Sequence, residues 1–242
     1  MISSFSGGRT SAYMTYLLKK ENPDLKVVFM NTGLEHEKTL EFVNACDKAW
    51  DLNIDWIEAV VHHKKRVATT HRYVDFKTAC RNIYIAEQVV LKYGLFGMGY
   101  LHCTREMKLR PFKSWVKENK LLDSKIAIGI RSDEMDRVDP DYEKKNLFYP
   151  LLSKSITKDD VNRFWDNQEF NLELEDYLGN CKACWKKTKS KLDRIAKEHP
   201  EFISELTPLE KIGTKGSDKM FRSKKDTTEL LDLGCKESCE VF

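Results

Sequence analysis

Long apolar runs are missing from this chain. No stretch approaches the roughly 20 residues needed to cross a bilayer, and the amino terminus opens directly on a strand-like segment. Neither a membrane span nor a signal peptide is therefore expected, and the cytosol is the expected compartment. Charge of one sign is also missing: the formal balance of +3 is too small to imply nucleic-acid binding by itself. Two phosphate-binding signatures are absent as well. The Gly-Lys-Ser/Thr ending of a Walker A loop does not occur, nor do the three spaced glycines of a dinucleotide fingerprint. Cysteine, by contrast, is plentiful. Seven thiols in a chain without an export signal suggest metal, cluster or redox work rather than a disulfide scaffold.

What is present begins at Ser6-Gly7-Gly8-Arg9-Thr10-Ser11, between an apolar segment at 1–5 and a helical pattern at 10–20. Two consecutive glycines let a backbone turn sharply and approach a ligand closely. The hydroxyls of Ser6, Thr10 and Ser11 then share a space with the free N–H groups of a helix start, which favours an anion, most plausibly phosphate. Strands are expected at 25–30 and 54–61, the first nearly unbroken in its apolar character, with helical patterns between. Alternation of this kind implies an open, mostly parallel α/β sheet with helices on both faces, whose ligands bind beyond the strands' carboxyl ends. Ser6 and Asn31 stand at two such ends.

The stretch 62–76 is polar and basic and reads as a solvated loop, or as a rim that collects anions. A helix is expected over roughly 78–93, another from Pro111 to Glu118, and a further core strand over 125–130. Arg131 and Arg137 follow that strand, where guanidinium groups could hold phosphate or sulfate, or pair with Asp133, Glu134, Asp136 and Asp139. Segment 148–152 reads as extended. Thr157 is a good cap for a helix whose buried stripe is Val161, Phe164 and Trp165. Cys181 and Cys184 stand one turn apart before a lysine-rich helix, and Cys235 and Cys239 form a second close pair near the end. The expected division is a nucleotide-binding α/β domain at 1–152 and a helical, cysteine-containing region at 153–242.

The hexapeptide resembles the PP-loop of the N-type ATP pyrophosphatases and phosphoadenosine phosphosulfate (PAPS) reductases, with Arg9-Thr10 in place of the usual Lys-Asp. The order of that loop, then Asn31-Thr32-Gly33, Cys103 with Lys108 and Pro111, Gly129-Ile130-Arg131 with Glu134, and Cys181/Cys184 is similar to the PAPS reductase-like branch of the adenine nucleotide α-hydrolase superfamily. The resemblance spans roughly residues 1–200 and implies several roles. Ser6, Gly7, Gly8, Arg9, Thr10 and Ser11 would bind nucleotide phosphates, Asn31, Thr32 and Gly33 would lie by the adenosine, and Lys108 and Arg131 would hold the phosphosulfate.

The resemblance also implies a metal centre. Iron–sulfur adenylylsulfate (APS) reductases carry a Cys-Cys pair where this chain has Cys103-Thr104, and a Cys-x-x-Cys that corresponds to Cys181 and Cys184. Three of four 4Fe–4S ligand positions are matched; Cys80, Cys235 or Cys239 could complete the shell, or one iron stays open. An open iron would resemble the sulfur-transfer members of the superfamily. A competing assembly is a tetrahedral zinc site of Cys181, Cys184, Cys235 and Cys239. The Glu-Cys-Gly-Leu/Ile-His tail of the reductases has no counterpart, so Cys235 or Cys239 would have to act as nucleophile, against the thiol-pKa-raising effect of Glu237 and Glu240. Three functions follow. One is a PAPS reductase-like enzyme served by a thiol reductant; another is an ATP-dependent PP-loop sulfurtransferase served by a sulfur-donor protein. The third is a non-catalytic, metal-containing module that binds nucleic acid through its basic helix.

Overall fold

In the computed structural model, residues 1–97, 100–179, 181–213 and 227 are described. Cys235 and Cys239, on which both a nucleophile and a metal ligand are expected, lie outside the described residues.

Six strands form one sheet: β1 (Ile2–Phe5), β2 (Lys26–Asn31), β3 (Asp55–Val60), β4 (Thr70–Val74), β5 (Ile126–Ala127) and β6 (Leu147–Phe148). Their order across the sheet is β4-β3-β2-β1-β5-β6, and every pairing is parallel except β3 with β4. The chain thus winds from β1 through β2 to β3 in one direction and resumes on the other side of β1 with β5. The crevice created by that reversal opens at the carboxyl ends of β1 and β5, where sheets of this kind hold their ligands. The expected α/β fold is the fold observed.

Central strands are apolar because both sheet faces are covered. Val27, Val28 and Phe29 in β2 and Ile57 in β3 are buried. The buried hydroxyl of Ser3 in β1 is satisfied at 2.7 Å by Thr15 of α1 (Arg9–Glu21). One face carries α1, α2 (Glu37–Trp50) and α6 (Lys158–Asp166), whose Trp165 packs with Phe42 and Trp50. A second core joins Ala59 and α3 (Tyr84–Tyr93) to Tyr177, Ala183 and the helices α7 (Lys189–Glu198), α8 (Pro200–Ser204) and α9 (Thr207–Gly213).

Several local expectations differ from the fold. The basic stretch 62–76 contains β4, an edge strand paired with β3, whose Arg72 bonds the buried Glu58 at 2.7 Å. Residues 78–83 turn rather than continue α3. A wide helical turn, Cys103–Leu109, runs directly into α4 (Arg110–Glu118), carrying Lys108 on its last residues. β5 is only two residues long, and Pro150 opens a short helix, α5 (Pro150–Ser153), where an extended segment is expected.

Candidate nucleotide site and thiol cavity

At the end of β1 the chain turns through Gly7, whose φ is +79°, and enters α1 with Gly8 as its capping residue. A Cβ on Gly7 would stand 2.6 Å from Thr39 Cγ2 and 3.2 Å from Phe29 Cε2, so only glycine fits there. Gly8 is different. Its φ of −102° suits any residue, and a Cβ would meet only Ser6 Oγ, at 3.8 Å. The loop is braced from inside: Ser11 Oγ accepts from Ser6 N at 3.1 Å, lies 2.8 Å from Ser6 Oγ and donates to Gly8 O at 2.9 Å.

Two neighbours hold the outer turn of α1. Arg131, just after β5, donates from Nη1 to Thr10 Oγ1 at 3.2 Å, and Trp165 of α6 donates from Nε1 to the Arg9 carbonyl at 3.0 Å. Gly129 makes this approach possible, since a Cβ there would come within 3.1 Å of Ser11 Cα. Arg131 is also bidentate on Asp133 (2.9 and 3.0 Å) and within 3.3 Å of Glu134, and Arg137 pairs with Glu134 too. Hydrogen bonding to Asp133 holds the Arg131 guanidinium above its ordinary pKa. Both arginines thus pair with acids that stand beside them in the sequence.

The turn after β2 is assembled just as tightly. Asn31 is fully buried, donating Nδ2 to Glu58 Oε1 at 2.6 Å and to the Cys80 carbonyl at 2.8 Å. Thr32 donates its N–H (2.9 Å) and its hydroxyl (2.7 Å) to Glu35. Gly33 has φ +79°, and a Cβ there would lie 2.4 Å from the Asn82 carbonyl and 3.1 Å from Cys80 Sγ. The side chains of Asn31 and Thr32 are therefore engaged within the fold.

Three expected metal ligands come together. Cys103, Cys181 and Cys184 line one cavity of about 40 Å³ with Leu34, Phe96 and Trp185. Thr32 Oγ1 lies 3.9 Å from Cys181 Sγ, and Lys182 N donates to Leu34 O at 2.9 Å, so the segment at Cys181 is stitched to the Thr32–Glu35 turn. Desolvation pushes the Cys181 thiol up to about 12. Burial opposes the charge of Lys108, yet Cys181, Glu35, Cys184 and Cys103 raise its pKa above the ordinary lysine value. Burial also brings Lys187 down to about 8, with its ammonium bonded to the Tyr177 and Gly179 carbonyls at 2.6 Å each. Soft thiols amid half-buried ammonium groups are a fitting donor set for an anionic iron–sulfur cluster. Among the described residues, however, no three His, Cys, Asp or Glu side chains are gathered closely enough to hold a metal ion.

Sequence reasoning missed Glu35. Glu35 carries a readable signal, an acid three residues after Thr32 that turns back onto its N–H. Lys187 belongs to a lysine-rich run that the sequence presents either as solvated or as a positive field on the thiols, and nothing in that run marks it out from its neighbours.

The chain is 29% identical to the uncharacterized nin region protein ORF290 of Escherichia phage lambda, in an alignment that takes in all of this chain and 94% of the relative. It is 29% identical to the uncharacterized protein MJ0973 of Methanocaldococcus jannaschii over 91% of this chain, although that spans only 50% of the archaeal protein. The profile of the phosphoadenosine phosphosulfate reductase domain matches residues 1–144, which include β1, the glycine loop, Lys108 and Arg131. This chain belongs to the phosphoadenosine phosphosulfate reductase domain family.

Proposed function

We propose that the protein is an adenine-nucleotide-dependent enzyme of sulfur transfer or reduction, with the nucleotide's charged tail on the Ser6–Ser11 loop and its reacting end directed toward the thiols. The observation that carries this reading is the glycine loop in the crevice between β1 and β5, with an open capping residue and the N–H groups of α1 behind it. Asn31, Thr32 and Gly33 would shape the wall beside the adenosine, mainly through backbone, given how their side chains are engaged.

In a reductase, a thiolate attacks the sulfuryl sulfur. An S–S bond forms while the S–O bond breaks, the adenosine phosphate leaves with the electron pair, and a thiol reductant later releases sulfite. Cys235 or Cys239 would supply that thiolate. Arg131 at the loop and Lys108 at the thiols would offset charge on the transferring group. Cys103, Cys181 and Cys184, with Cys235 as the fourth, would hold a 4Fe–4S cluster, which supplies a redox-active or sulfide-binding centre. Zinc on the same thiols is the alternative.

A second reading, ATP-dependent sulfur transfer to an adenylated carbonyl, is favoured by one observation. Thr104 stands where a fourth thiol would be, and no further cysteine lines the cavity of Cys103, Cys181 and Cys184 among the described residues.

Gly8→Val tests the nucleotide site without disturbing the fold, because the backbone there is extended and the space open. Calorimetric titration with ATP, PAPS and APS should show at least about tenfold weaker binding of whichever nucleotide the wild type prefers. Equal affinity in the variant would remove the nucleotide assignment. Mass spectrometry of the products then separates the two chemistries: adenosine bisphosphate marks the reductase, AMP with pyrophosphate the transferase. Anaerobically purified protein should be brown, with broad blue to near-ultraviolet absorbance that Cys181→Ser diminishes; a colourless zinc protein would eliminate the cluster.

A further inference from the structure

A cleft of about 340 Å³ adjoins the glycine loop. One wall is Arg9, Thr10, Arg131 and Glu134. The other comes from the carboxy-terminal part of the chain, with Lys158 and Asn162 of α6, the segment 172–179 and Lys191 of α7. At 340 Å³ against 40 Å³, this cleft and not the thiol cavity has room for a phosphate-bearing group as the chain stands.

Its charges are unevenly matched. Glu134 is held by Arg131 and Arg137, Glu175 by Arg194 at 2.8 Å, and Asp176 by Lys158 at 3.4 Å. Each carboxylate of the lining is therefore already paired with a cation, and the charge of Arg131 is largely offset by Asp133 and Glu134. Arg9 and Lys191 remain. Both are half-buried, they line the cleft from α1 and from α7, and neither has a carboxylate partner among the described residues. Two half-buried cations that face one cleft without counter-charge repel each other and attract an anion between them.

We infer that Arg9 and Lys191, which line this cleft from two distant parts of the chain, together hold the terminal anionic group of the bound nucleotide, a phosphoryl or a sulfuryl. The inference rests on the nucleotide reading above and adds to it. It moves the principal anion contacts from Arg131, which is engaged by its own neighbours, to Arg9 and to a lysine on α7. The site is then incomplete without the carboxy-terminal helices, because one of the two cations comes from them.

The test is calorimetric titration of wild type, Arg9→Met, Lys191→Met and Lys191→Arg with ATP, PAPS, AMP and inorganic pyrophosphate, with folding checked by circular dichroism. Losing one charge-assisted contact should weaken ATP or PAPS about tenfold in each methionine variant, leave AMP within about twofold, and be largely restored in Lys191→Arg. Comparison of ATP with PAPS tells which terminal group the pair prefers. Wild-type affinity for both in Arg9→Met and Lys191→Met overturns the inference. If Lys191→Met fails to fold, Lys191→Gln keeps a long side chain there and is judged by the same criterion. Should the wild type bind no adenine nucleotide, the nucleotide reading fails by itself. Pyrophosphate then decides the cleft, Lys191-dependent binding supporting the cation pair and no binding overturning it as well.

Discussion

Gly7 and Gly8 are adjacent and chemically identical, yet the fold needs them for different reasons. Gly7 is glycine because its φ is positive and because Thr39 fills the space where a Cβ would go. Gly8 meets neither constraint, so glycine there leaves room over the loop. Gly7→Ala should therefore lower stability by about 1–3 kcal/mol, through strain and overpacking together. Gly8→Ala should change it by less than about 0.5 kcal/mol, as expected of a substitution without a clash. Urea unfolding of the two variants checks this, and equal losses would show that the two positions are not distinguished as described. At this scale much was legible. Ser6 to Ser11 stood out as a glycine turn into a helix and Cys181 with Cys184 as a close thiol pair, because residue type and spacing mark them, whereas Cys103 entered only through the family resemblance. Partner choice was not legible: spacing offers Arg131 both a ligand and the nearby Asp133 and Glu134, and only coordinates show it on the acids.

Among the elements, α6 links local sequence to the site most directly. Thr157 and Asp160 form a reciprocal cap, with Thr157 N and Oγ1 donating to Asp160 Oδ2 at 2.8 and 2.6 Å, and Arg163 pairs with the same carboxylate. Hydrogen bonds from Thr157 bring the Asp160 pKa from 3.8 down to about 2. A depressed carboxyl pKa means that the unfolded chain takes up its proton first. The stabilisation is thus complete above about pH 3.8 and is lost as pH falls through about 2. Asp160→Asn should accordingly be less stable than wild type at pH 5, and the gap should narrow by pH 3, as read from urea midpoints. A gap equal at both values would show that the carboxylate's charge is not what the cap uses. Thr157→Ala should cost about 1 kcal/mol at neutral pH. This helix could be read from its cap and stripe, whereas β4 and β5 could not. β4 is a five-residue antiparallel edge within a basic stretch that looks like a loop, and β5 has two residues, too few to show a period.

At the scale of the molecule, the glycine loop is held between two parts of the chain that are distant in sequence. Arg131 reaches it across the switch in strand order, and Trp165 reaches it from α6, 156 residues beyond Arg9. Sequence could announce the alternating sheet, and with it the place where a ligand binds, since that follows from strand order alone. It could not announce that a core tryptophan also donates a hydrogen bond into the loop, because burial and donation draw on the same residue type. Trp165→Phe separates them. The ring's packing against Phe42, Trp50 and Phe170 is largely kept, while the Arg9 carbonyl loses its indole donor. Stability should fall by about 1–3 kcal/mol, the loss of one hydrogen bond to the Arg9 carbonyl together with the smaller ring. If this bond fixes the first turn of α1, nucleotide affinity should fall as well, under conditions where the variant is fully folded. A variant that loses stability but binds as wild type would make Trp165 a packing residue only, and the loop would then owe its shape to Arg131 and its own serines.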